Sequence, residues 1–238
     1  MASTAIDVQR ATPGQIARLR GEWERLAIGH VRRRLPQVRE PYIAQARRTL
    51  RRAYDAGDRD PRLLATLGLC EVDAGNDASA RPFLEPATAL GVDRPRAYYE
   101  LARIRFDELR GQEPGTRRFS FSELGPVFQP LQQALAQKPP LPEVFALLAE
   151  AWARSETPPN PKEVAELETG ARLFGSRPDV ALPLAHAFAR HGRKAEAIAV
   201  LEATGATAMD EITRGEIQQL RADLAGGTPK AADAPAHP

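Results

Sequence analysis

The feature that most limits what this chain can fold into is a repeat of 34 residues. Ala46, Leu50 and Ala53 recur as Ala80, Leu84 and Ala87, and Leu64, Leu67 and Gly68 recur at the same offset as Tyr98, Leu101 and Ala102. Within each half of the unit the apolar and small residues fall at i, i+3, i+4 and i+7, the spacing of one helix face. The unit is therefore two helices, and a unit of this kind buries its apolar face only by stacking on its neighbours. Gly75-Asn76-Asp77 divides the pair, because Gly and Asn tolerate the positive φ that turns the chain back. Thr12-Pro13 with Gln15, Asp60-Pro61, Asn160-Pro161 with Glu163, and Ser176 with Asp179 each offer a side-chain cap for a helix start.

Five units can be read. Trp23, Leu26, Ala27 and His30 followed by Ala46, Leu50 and Ala53 form the first, with VRRRLPQ inserted between them. The second is the stretch 63–91. Tyr98, Leu101 and Ala102 lead the third, answered by Leu131 and Ala134 across GQEPGTRRFSFS. Phe145, Leu148, Ala149 and Trp152 with Leu167 and Gly170 give the fourth. Ala181, Leu184, Ala185 and Phe188 with Gly192, Ala197 and Leu201 give the fifth. A last helix carrying Ile212, Ile217, Leu220 and Leu224 on one side suits the polar cap that ends a repeat array.

This pattern resembles the tetratricopeptide repeat (TPR) over roughly residues 20–205. The resemblance implies an all-α fold, a right-handed α-solenoid of about five TPR-like helical hairpins plus a C-terminal capping helix. Residues 13–225 are expected to form it, with an inserted loop at 111–122. Residues 1–12 read as an N-terminal arm or linker. The tail 226–238, rich in Pro, Ala and Gly without apolar period, reads as disordered.

Composition adds exclusions. The chain is 42% hydrophobic and 27% charged, ordinary for a folded protein. No apolar run approaches the roughly 20 residues of a membrane span, and the first ten residues lack a signal-peptide pattern. A cytoplasmic location is expected if the start is native. The lone Cys70 excludes an internal disulfide and a cysteine-based zinc site. Residues 1–60 hold thirteen arginines against seven acidic residues, a surplus of six, so the remainder carries minus four within the net +2.

Little in the sequence points to catalysis. There is no phosphate loop, paired-histidine zinc helix or nucleophile elbow, and His186 and His191 are five apart, off a common helix face. Neither a metal, a cofactor nor an enzyme activity is expected. In TPR proteins the first helices of the hairpins line a groove, and by register this implies partner contacts at Arg62, Leu69, Tyr99, Arg103, Phe106, Glu150, Arg154 and His186. The family's Lys and Asn clamp for a peptide carboxylate is missing, since Ala65, Leu69, Tyr99 and Arg103 occupy the corresponding places. The expected function is a non-catalytic scaffold or adaptor binding a protein or peptide, with the chain a monomer. One alternative is the repeat domain of a larger bacterial enzyme or secretion component. The other is anion or nucleic-acid binding through Arg33, Arg47, Arg48, Arg51 and Arg52. Few aromatics for base stacking lie nearby, which disfavours nucleic acid.

Overall fold

A computed structural model describes residues 11–32, 39–112, 117–205 and 211–226. They contain eleven helices: α1 (Pro13–Arg32), α2 (Arg39–Asp55), α3 (Pro61–Asp73), α4 (Asp77–Ala89), α5 (Pro95–Gln112) and α6 (Phe121–Leu135), then α7 (Pro142–Ala153), α8 (Pro161–Phe174), α9 (Pro178–Arg190), α10 (Lys194–Gly205) and α11 (Glu211–Ala225). No strand occurs among the described residues, which hold one isolated parallel bridge between Phe119 and Ser155. The fold is all-α, with helices packed in consecutive pairs. Two compact units divide the chain, one of Met1–Gln112 with Pro126–Pro140 and the other of Glu113–Gly125 with Leu141–Pro238. Most of the expected arm, the last five residues of VRRRLPQ and nearly all of the tail lie outside the described residues.

In the first unit α1 pairs with α2 and α3 with α4, while α3 also packs on α2 and α1, and α5 on α4 and α3. Ala46, Leu50 and Ala53 of α2 and Ala80, Leu84 and Ala87 of α4 are all fully buried, so the repeat marks the packed face of the second helices. Burying each such leucine stabilises the fold by about 1.5–3 kcal/mol. The turn after α3 works as its sequence requires. Gly75 sits at φ +77°, and the N–H groups of Gly75 and Asn76 donate to the carbonyls of Val72 and Glu71 at 2.9 Å.

The first helix of the first unit departs from its expected register. Trp23 and Leu26 are 69% and 63% exposed, whereas Gly21 and Glu24 are buried. The reason is close approach: a Cβ on Gly21 would fall 2.6 Å from Leu50 Cδ2, the same relation that Gly68 has to Leu84. Gly21 therefore takes the small-residue place assigned to Ala27, six residues earlier. The side chains of Ala27 and His30 lie outside the described set.

In the second unit α7 packs on α8 and α9, α9 on α10, and α11 on α10 and α9. Phe145, Leu148, Trp152, Leu184, Phe188 and Leu201 fill its core, and Gly170 lets α8 close to within contact of the Phe145 ring. Asn160 and Glu163 form a reciprocal capping box at the start of α8, and Asp60 accepts from the Arg62 N–H at α3. The cap position expected at Ser176 falls one residue later. Pro178 opens α9, so Arg177 occupies the cap position without a side-chain cap bond and its guanidinium pairs with Asp179 instead. In α11 Ile217 is buried while Ile212 is 78% exposed, so the apolar row there is only partly packed.

The insertion is shorter than its sequence suggests, since α5 runs to Gln112 and α6 begins at Phe121. Phe119 is fully buried and Phe121 half exposed. The Phe119 N–H donates to the Arg154 carbonyl at 2.8 Å, and the Glu156 N–H donates to the Phe119 carbonyl at 2.9 Å. Residues 113–116 are not described.

Candidate functional site

In the first unit ion pairs built on arginines tie the first helices to one another. Arg18 of α1 pairs with Asp60, Arg25 of α1 with Asp73 of α3 at 3.1 Å, and Glu22 of α1 with Arg94 ahead of α5 at 3.2 Å. Burial pulls the Arg94 guanidinium below its ordinary pKa, and the Glu22 carboxylate opposes that shift. Arg103 on α5 is the densest node. Its guanidinium forks onto both oxygens of Asp77 at 2.7 and 2.9 Å, donates to the buried Glu100 at 2.8 Å and reaches Asp107 at 3.0 Å. The bonds to Asp77 lead the causes that hold its pKa above the usual arginine value.

These contacts sort the groove residues implied by the resemblance. Arg62 is exposed and Tyr99 partly so, one on α3 and the other on α5. Arg103 is partly exposed, with its hydrogen-bonding capacity turned onto the fold's own carboxylates. Leu69 and Phe106 are 2% and 1% exposed, so neither offers surface to a partner. They belong to the packed core because their helix positions turn inward where the next element covers them. In the second unit Glu150 and Arg154 on α7 are partly exposed, and His186 on α9 is exposed. The residues 18, 22 and 25 were not legible as interface builders. Their i, i+4, i+7 spacing is visible in the sequence, but it points to a packed side only once Gly21 sets the register.

The basic second helix is partly self-satisfied. Arg47 bridges to the buried Glu71 at 2.7 Å, Arg48 donates to Gln45 at 2.8 Å, and Arg51 lies over the Tyr54 and Phe83 rings. Arg52 is exposed, and Arg33 lies outside the described residues. A shallow cavity of about 460 Å³ is lined by Arg47, Arg48, Arg51, Leu67, Glu71 and Phe83. Cys70 is buried in α3, and desolvation pushes its pKa from 9.0 up to about 12, so it is a packing residue and no nucleophile. The His191 ring N–H donates from Nε2 to the Trp152 carbonyl at 2.9 Å. Among the described residues no cluster of three or more His, Cys, Asp or Glu could hold a metal ion. No described helix is long and apolar enough to cross a membrane.

No protein-family model and no curated protein matches the chain. Among solved structures it is similar to the one reported under "Functional Characterization of Pseudomonas Aeruginosa pilF". The two share 16% identity over 90% of each chain, with a TM-score of 0.53. PilF is a TPR-containing protein, so the likeness concerns the helical-hairpin fold.

Proposed function

We propose that this chain is a non-catalytic scaffold that binds a protein or peptide along the exposed side of its first helices. The observation that carries this reading is the hairpin-by-hairpin helix packing shared with a TPR-containing structure over 90% of the chain. Stacked hairpins present one side of each first helix in series, and such surfaces serve as extended binding faces. Arg62 and Tyr99 in the first unit and His186 in the second are the contacts we assign, since arginine and tyrosine are common energetic anchors of interfaces. Arg103 on α5 shapes the surface of the first unit through its carboxylate partners, and Glu150 and Arg154 on α7 are partly exposed within the second. Leu69 and Phe106 are left out because they are buried.

Affinity capture with the purified chain tests the reading, alongside baits carrying Arg62→Glu with Tyr99→Ala, and His186→Ala. Each substitution alters a residue outside the packed core, so the baits should stay folded. Loss of at least one captured protein from the variant baits is expected. Identical captured sets from all baits would remove the site assignment, and a turnover activity retained by every variant would remove the non-catalytic reading.

A further inference from the structure

The cavity of about 460 Å³ beside α2 lies in the size range of ligand sites, about 300–1,000 Å³. Ala44, Arg47, Arg48 and Arg51 line it from α2, where spacings of three and four put them on one helix face, and Leu67, Glu71 and Phe83 close it from α3 and α4. Both Glu71 oxygens are taken by Arg47, at 3.0 and 2.7 Å, and Asn76 donates a further bond at 3.3 Å. Arg48 donates to the neutral Gln45, and Arg51 approaches Asp55 only at 3.7 Å with both side chains more than half exposed, a contact worth little in water. The Arg51 guanidinium is instead held at the cavity by aromatic contact, 5.5 Å from the Phe83 ring centre and 5.6 Å from that of Tyr54.

The next repeat shows what this cluster lacks. At the offset of 34 residues, Arg47, Arg51 and Glu71 correspond to Arg81, Glu85 and Arg105, Arg48 corresponds to Pro82, and Ala74 to Glu108. There Glu85 accepts from Arg81 at 2.8 Å and from Arg105 at 3.1 Å, and Glu108 accepts from Arg81 at 2.8 Å. Two arginines and two glutamates make that set neutral. Around the cavity three arginines meet one glutamate, a surplus of two positive charges, and Arg51 and Ala74 stand where the next repeat places its carboxylates.

We propose that this cavity takes an acidic side chain of a peptide partner, its carboxylate held by Arg48 and Arg51 and an apolar neighbour resting on Phe83. The partner thereby supplies the carboxylate that Glu85 supplies within the chain one repeat later. The charge surplus and the lining select this occupant. A carboxylate matches guanidinium donors and adds a single charge. A strand of phosphates would bring several charges toward Asp55, Glu71 and Asp73, the last lining an adjoining cavity that shares Ala44 and Arg47. Ala44, Leu67 and Phe83 give the residue beside the acid an apolar wall. This contact is a second one, independent of that assigned to Arg62, Tyr99 and His186.

Fluorescence anisotropy of the 238-residue chain with labelled probes tests the proposal. The probes are a blocked peptide of Glu-Leu-Ser units, the same peptide with Gln for Glu, and oligothymidylate. At about 20 mM salt the Glu peptide is expected to bind at least about tenfold tighter than the Gln peptide, and about 150 mM salt should narrow the gap. Arg48→Glu, which leaves the ring contacts of Arg51 in place, should weaken its binding about fivefold, and Arg48→Gln with Arg51→Gln at least about tenfold. Both arginines are exposed, and far-UV circular dichroism checks that each variant stays folded. Arg62→Glu with Tyr99→Ala should leave the affinity unchanged, which separates this site from the contacts assigned to the first helices. No binding of the Glu peptide up to about 200 μM, equal binding of the two peptides, affinity that survives both arginine variants, or loss only with the Arg62 and Tyr99 substitutions would overturn the proposal. Tighter binding of oligothymidylate, lost in the same arginine variants, would overturn it too and give the arginines to nucleic acid.

Discussion

Gly68 of α3 faces Leu84 of α4 so closely that a Cβ on the glycine would fall 2.7 Å from the leucine Cγ and Cδ2. That approach brings the two helices of the second hairpin together, and Gly21 against Leu50 repeats it in the first. The 34-residue period is the sequence trace of this contact, because a small residue must return wherever a large one from the paired helix is seated.

Replacing Gly68 with alanine should therefore destabilise the fold despite alanine's better helix propensity. Overpacking costs about 1–3 kcal/mol. Gly125 in α6 has nothing within 4 Å of a built Cβ, so Gly125→Ala should stabilise by about 0.5–1 kcal/mol. Urea unfolding midpoints of both variants check the opposite signs.

Cys70 should resist thiol reagents in the folded protein. With its pKa pushed up to about 12 by burial, the thiol stays protonated at pH 8, and the group is shielded besides. The folded pKa lies above the ordinary 9.0, so the stability this group contributes is fully present below pH 9 and declines as the pH rises toward 12. Colour development with a disulfide reagent should wait for denaturant, and Cys70→Ala should flatten the alkaline loss of stability.

Arg103→Ala should cost about 1–3 kcal/mol, because it strips charged hydrogen bonds from Asp77, Asp107 and the buried Glu100. Arg103→Lys should recover only part of this, since an ammonium cannot fork onto both Asp77 oxygens. Chemical denaturation of the two variants gives the comparison.

The capping box at α8 gives a local test. Asn160→Ala removes the acceptor for the Lys162 and Glu163 N–H groups and should cost about 1 kcal/mol, while Asn160→Asp should cost little. Combining Asn160→Ala with Glu163→Ala should cost less than the sum, as each half of the box depends on the other.

Phe119→Ala should cost about 3 kcal/mol, as expected for a fully buried phenylalanine, and Phe121→Ala less than about 1 kcal/mol. Similar losses at both would contradict the buried placement of Phe119. Thermal melts of the two variants separate these results.

The sequence by itself determined what is local. Periodic spacing marked the buried rows Ala46-Leu50-Ala53 and Ala80-Leu84-Ala87, and Gly75 and Asn160 marked a turn and a start, because each depends on residues within one or two helical turns. Even Pro82 and Pro86 do not break α4, whose packed row holds the helix through them. Tertiary structure alone decided which side of a helix meets its neighbour. Spacing shows that Trp23 and Leu26 share a face, yet only the closeness of Gly21 to Leu50 turns that face outward. In the same way, Arg103 looks like a ligand anchor until Asp77, 26 residues away, is brought within 2.7 Å of it. Leu69 and Phe106 look like groove residues until packing covers them. Short-range order follows from backbone geometry and side-chain size, whereas the use made of each exposed face depends on contacts between residues far apart in the chain.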